Sequence, residues 1–223
     1  MPHWGMGALS PVLRSERQAF IALLETLDPQ QWTTPSLCAG WTVQDLAAHA
    51  AFAQSLRLHE MVTEAARARF GYNRMITETA VRWAERGTPA ILERMRRNLR
   101  DEVTPPGLPL VLSVVDVTVH ALDARKPLGL PRAVPREAFL PVARFLLRAR
   151  WPSTIPLGGG PAERIAGLRL VADDIGWASG SGPDVRGTAE TMLLVLSGRS
   201  VTAEELDGDG APELLRRISA VPG

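Results

Sequence analysis

The 223-residue chain carries 25 basic and 24 acidic side chains, a net charge of +1, which gives no reason to expect a nucleic-acid partner or a membrane surface. Its single cysteine excludes an internal disulfide, as expected of a cytoplasmic protein, and the opening MPHWGMGALSPVLRSER lacks the long apolar run of a secretory signal. No segment reaches the apolar length of a membrane span.

In chain order, Ser10 and Pro11 read as an N-cap and first-turn proline, with Phe20, Ile21, Leu23, Leu24 and Leu27 at largely helical spacing up to the Pro29 turn. A second helix is predicted from Thr42 to about Phe70. Thr42 and Asp45 form a variant capping box, and Trp41 is placed to staple onto Leu46. A third helical stretch runs from Tyr72 to Arg86, breaks at Gly87, and resumes after Thr88-Pro89 as AILERMRRNLRDEV. After Pro105-Pro106-Gly107 comes LPLVLSVVDVTVHALDARKPLG, whose β-branched content permits a strand. The spacing of Asp116, His120 and Asp123 by four and three favours a helix. A helix over about Arg136 to Arg150 closes the series.

The proline- and glycine-rich stretch 151–166 reads as a linker. Beyond it, GLRLVADDIGWASGSG suggests two short strands around a turn, and GTAETMLLVLSG and APELLRRIS suggest two helices. The expected fold class is α+β: a helical bundle over 1–150, the linker over 151–166, and a small α/β domain over 167–223.

Two of the four histidines, His3 and His59, read as exposed. His49 shares a helix side with Leu46 and Ala53, so it should face the bundle interior, where a buried imidazole needs a partner. Asp116 and His120 offer one, because side chains four apart on a helix can reach the same ion. His49, Asp116 and His120 would make a three-donor set suited to zinc with a fourth position open. Asp123 could support His120 from behind or cap a turn. Spacing alone also admits a local Asp–His ion pair and a core histidine bonded to a backbone carbonyl. Cys38, in the turn before the second helix, reads as a small buried hydrophobe rather than a nucleophile.

The phrase CAGWTVQDLAAH, the later D-x-x-x-H-A-L-D-A-R-x-x-L-G, and the tail LRLVADDIGWASGSGPDVRGTAETMLLVLSGR together resemble the mycothiol-dependent maleylpyruvate isomerase family over nearly the whole chain. That resemblance implies a DinB-like up-down four-helix bundle followed by a small carboxy-terminal domain. It also implies a divalent metal, usually zinc, held by the positions matching His49, Asp116 and His120. Family members commonly carry glutamate where this chain has Asp116, which shortens the reach by one methylene and keeps the ligand type. A tryptophan usual in the second motif is Leu122 here.

The implied cofactor is mycothiol, a thiol of actinobacteria, in keeping with a chain whose only lysine is Lys126 and whose other basic residues are arginines, as GC-rich bacterial genomes encode. The implied chemistry is attack of a metal-activated thiolate on a small electrophile, ending in S-transfer or in cis–trans isomerisation. Arg125, Asn73 and Arg74 are the candidate contacts to the thiol cofactor or substrate. A non-catalytic bundle that binds a metal or ligand in a sensing or interaction role is the alternative, and a metal hydrolase needing no thiol is a third reading.

Overall fold

The computed structural model describes residues 6–56, 58–69, 71–105, 107–150 and 159–219. The chain divides into two units, Met1–Leu130 and Pro131–Gly223.

In the first unit, Leu9, Leu13, Phe20, Ile21 and Leu24 fall on one stripe of helix α1 (Met6–Glu25) and are buried. Pro11 lies inside this helix rather than at its start, because α1 already includes Met6. Asp28 then caps a one-turn helix, α2 (Pro29–Trp32), through a reciprocal box with Gln31. The predicted Thr42–Asp45 box is present at the start of α3 (Val43–Phe52): the Asp45 amide donates to the Thr42 hydroxyl, and the Thr42 amide to the Asp45 carboxylate.

The long second helix expected to reach Phe70 instead ends at Phe52. A 3₁₀ turn over Ala53–Ser55 carries the Gln54 side chain inward, and Leu56 adopts an extended conformation, so helical pairing cannot continue across it. A separate helix α4 (Leu58–Arg67) follows, then α5 (Tyr72–Ala84) and α6 (Thr88–Arg100). Gly87 precedes α6 at φ +81°, a left-handed value that favours glycine.

The ambiguous apolar segment is a helix, α7 (Leu110–Arg125), despite its valines. Val114, Val117, Val119, Ala121 and Leu122 are all buried, which is how a helix apolar nearly all round is stabilised. Helices α1, α6, α3 and α7 form a closed ring: α1 packs on α6 and α7, and α3 packs on the same two. This is the four-helix bundle of the unit; α5 lies along α3, and α4 against α5.

The second unit begins earlier than 151. Helix α8 (Arg136–Arg148), expected to close the bundle, packs with its buried Phe139, Val142 and Leu146 on elements of the carboxy-terminal unit. Its amphipathic stripe identified a helix without identifying the surface that covers it. Residues 151–158 of the expected linker lie outside the described residues, while Pro161–Arg164 is a helical turn, α9, whose Arg164 is buried and donates to carbonyls of Val195 and Leu196.

The two predicted strands are β1 (Arg169–Ala172) and β2 (Trp177–Gly180), and they pair antiparallel. A third strand, β3 (Asp184–Gly187), pairs parallel to β1 on its other side, giving the order β2-β1-β3. β3 carries one apolar residue, Val185, between two charged ones and follows Gly182-Pro183, so its sequence lacks a strand signal. Helices α10 (Ala189–Leu196) and α11 (Ala211–Ser219) complete the unit. Asp173 pairs with Arg186 and Asp174 caps α10 at the Ala189 amide, so these acids serve the turn and the cap. No described helix is long and apolar enough to cross a membrane.

Candidate metal centre

Capping at Thr42 fixes the start of α3, and seven residues on, His49 faces α7 across the bundle with its side chain 13% exposed. From α7, Asp116 and His120 project one turn apart toward it. His49 Nε2 lies 3.8 Å from Asp116 Oδ1, and His120 Nε2 lies 3.5 Å from the same oxygen. The three donor atoms lie within 4.8 Å of one another. Tetrahedral donors bound at about 2.0–2.1 Å stand roughly 3.4 Å apart, so this spacing fits a single small cation. The three residues predicted as a set from two distant segments are therefore brought together.

A second cluster shares His120. Its Nδ1 sits 3.1 Å from Asp123 Oδ2, and the Cys38 thiol donates to the same oxygen at 3.1 Å. Asp123 is fully buried. With a proton on Nδ1 donated to Asp123, the Nε2 lone pair of His120 points at the first cluster, an arrangement that aligns and strengthens a metal-binding imidazole. Asp123 thus stands behind His120 rather than capping a surface turn. Cys38, left as a bland turn residue by its sequence context, takes part in this cluster, and its thiol lies 3.8 Å from His120 Nδ1. The same turn is fastened to α7 by the Leu37 amide donating to the Asp123 carbonyl at 3.0 Å.

Trp41, 6% exposed, covers one side, its ring 5.1 Å from that of His49 and 6.3 Å from that of His120. Its role extends beyond the staple suggested by sequence. On the other side of Asp116, the Gln54 amide donates from Nε2 to Oδ2 at 3.3 Å. Gln54 went unnoticed in the sequence because it lies past the capped helix in a turn of no recognisable pattern. Of the candidate cofactor contacts, Asn73 and Arg74 are exposed on the first turn of α5, and Arg125 is half-buried in the last turn of α7.

The electrostatics favour positive charge between the donors. Burial by itself would raise the Asp116 pKa, but hydrogen bonds and charge from His120 and His49 outweigh it and hold the carboxyl far below the usual range. Burial would lower that of His120, yet bonds to Asp116, Asp123 and Cys38 raise it well above the ordinary histidine value. In metal-free protein a proton on His120 therefore occupies part of the charge demand. Its raised affinity contributes stability that is complete below about pH 6.5 and lost as pH rises through the folded value. Asp116 contributes stability complete above about pH 4 and lost as pH falls toward its depressed value. The melting temperature of chelator-treated protein is therefore expected to fall above neutrality more than that of a His120→Gln variant. Parallel melting curves from pH 5 to 9 would refute this assignment.

A family model described as the mycothiol maleylpyruvate isomerase N-terminal domain matches residues 13–125, just over half the chain and including both ligand-bearing helices. Fold and site thus define a DinB-like helical bundle with an appended α/β unit and an internal donor set able to hold a cation. The chain belongs to the mycothiol maleylpyruvate isomerase N-terminal domain family, a family of enzymes.

Two solved structures are similar along almost the full length. One is the crystal structure of the mycothiol-dependent maleylpyruvate isomerase, 17% identical with a TM-score of 0.53, and the other a histidine-to-alanine mutant of that enzyme, 15% identical with a TM-score of 0.58. Each alignment covers 93% of this chain and 94% of the other. At that identity they establish the shared fold. No curated protein matches the sequence.

Proposed function

We propose that this protein is a metal- and mycothiol-dependent cis–trans isomerase of a small electrophilic substrate, working in the cytoplasm, with His49, Asp116 and His120 holding a divalent ion. The observation that carries this reading is the convergence of two imidazole Nε2 atoms on one carboxylate oxygen, 3.8 and 3.5 Å away. Two nitrogen donors and one oxygen donor suit zinc, with a fourth position left for an exogenous ligand. When bound, such an ion keeps a coordinated thiol deprotonated at neutral pH and so supplies a nucleophile.

The chain's own residues do the rest. Asp123 holds the Nδ1 proton of His120 so that Nε2 stays a lone-pair donor. Trp41 covers one side of both imidazoles and limits water there. Arg125, Asn73 and Arg74 are the proposed contacts for polar and anionic groups of the thiol or substrate. Adding the thiol across a double bond leaves a single bond free to rotate, and expelling it restores the double bond in the other geometry with the thiol unconsumed. If the adduct is released instead, the same site performs S-transfer.

The test is turnover with added mycothiol, first of maleylpyruvate and then of the generic electrophile monochlorobimane, before and after chelation and after zinc is restored. Activity should require both thiol and metal. Turnover that survives complete removal of metal would overturn the proposal, and stoichiometric metal with no thiol-dependent turnover would favour a non-catalytic bundle.

A further inference from the structure

A cavity of about 10 Å³ between α1, α3, α6 and α7 is lined by Arg17, Gln54 and Asn98 together with the apolar side chains of Ile21, Met95 and Val117. That is room for one water molecule. Gln54 and Asn98 are 5% and 3% exposed, and each has one half of its amide engaged: Gln54 Nε2 donates to Asp116 Oδ2, and Asn98 Nδ2 donates to the Ala51 carbonyl at 2.6 Å. The other halves, Gln54 Oε1 and Asn98 Oδ1, are buried acceptors with no partner among the described protein groups. Two orphaned acceptors beside one water-sized space call for a species that donates twice. The third polar lining residue, Arg17, is a pure donor and can complete that species' coordination.

We propose that a single buried water in this cavity donates to Gln54 Oε1 and Asn98 Oδ1, and that Gln54, fixed by it, is a positioning residue that turns Asp116 so that Oδ1 faces the ion. The two carboxylate oxygens have separate tasks: Oδ1 meets both imidazoles, and Oδ2 is held by Gln54. A carboxylate with one oxygen anchored cannot rotate to offer the other without breaking that bond. The chain of contacts runs from α6 through Asn98 and the water to Gln54, and on to a ligand carried by α7. This role rests on the metal-centre reading above.

The test uses the full chain. Gln54→Met preserves length and burial but removes both the donor to Asp116 and the acceptor for water. It is expected to weaken Zn2+ binding about 10- to 100-fold, the usual cost of losing a group that orients a ligand. In competition with a chromophoric chelator this appears as a raised Kd, and the visible bands of the Co2+-loaded protein should shift as the carboxylate loosens, which a general loss of stability would not produce. In a crystal structure of the wild type fine enough to show ordered solvent, a peak should lie within hydrogen-bonding distance of both orphaned oxygens.

Unchanged Kd and Co2+ spectrum in the variant would overturn the proposal, as would absence of that solvent peak, which decides the matter even if the variant does not fold. Wild-type protein that takes up no Co2+ would sink the metal-centre reading and the role of Gln54 with it, whereas the solvent peak is read without any metal. The two failures are thus told apart.

Discussion

Replacing His120 by alanine will abolish stoichiometric metal uptake and thiol-dependent turnover, the largest functional loss expected from any single substitution in this protein. His120 is the residue on which both clusters depend: Nε2 faces Asp116 and His49, and Nδ1 faces Asp123. Its removal takes away one of three donors and leaves buried Asp123 without the imidazole it accepts from. The loss should exceed the about 10- to 100-fold typical of changes to supporting groups. His49→Ala, which removes a donor but leaves the Asp123 cluster intact, should give a comparable loss of metal with a smaller loss of stability. Metal analysis and melting curves on the two variants separate these effects. Normal metal content in His120→Ala would show that the cation is held elsewhere.

Asp123→Ala should cost the most stability of any change near the site. The carboxylate is fully buried and receives bonds from His120 and Cys38. Removing one partner of a buried charged pair typically costs about 3–5 kcal/mol. Metal affinity should drop as well, by roughly 10- to 100-fold, because His120 loses the group that fixes its tautomer and ring orientation. Asp123→Asn is the informative companion: it fills the same space, yet an amide can present its nitrogen to Nδ1 and favour the wrong tautomer. Denaturant unfolding should find the asparagine variant more stable than the alanine one, while chelator competition finds both weakened. Affinity unchanged in both would mean that Asp123 serves only packing.

Much of the site was legible because it follows helical periodicity. Asp116 and His120 are four apart and Asp123 three further on, a spacing that keeps all three on one side of a helix but would turn Asp123 to the opposite face of a strand. The Thr42–Asp45 box located the start of α3 and so the direction of His49. Cys38, Trp41 and Gln54 were not legible as parts of the site, since each belongs to a turn where no period specifies direction and where pairing depends on α7, some seventy residues away. The same reason explains the boundary between the units. Helix α8 shows a clear apolar stripe, but a stripe reports only that something covers it, and its partners lie later in the chain. β3 is no shorter than its two neighbours, but it offers a single apolar residue, Val185, between Asp184 and Arg186 and directly after Gly182-Pro183, so its sequence reads as a turn.

The carboxylates around His120 also set a charge balance. With Asp116 and Asp123 ionised and both imidazoles neutral, the cluster carries two negative charges, and a doubly charged ion would bring it to zero. The Arg17 guanidinium, whose charge is opposed by its own burial and favoured by Asp116, lies in the same bundle beside the equally buried Glu16. A sulfur anion arriving at the fourth position would leave the donor cluster and its ion with one net negative charge, and Arg17 is the buried cation within electrostatic reach of Asp116 to temper it.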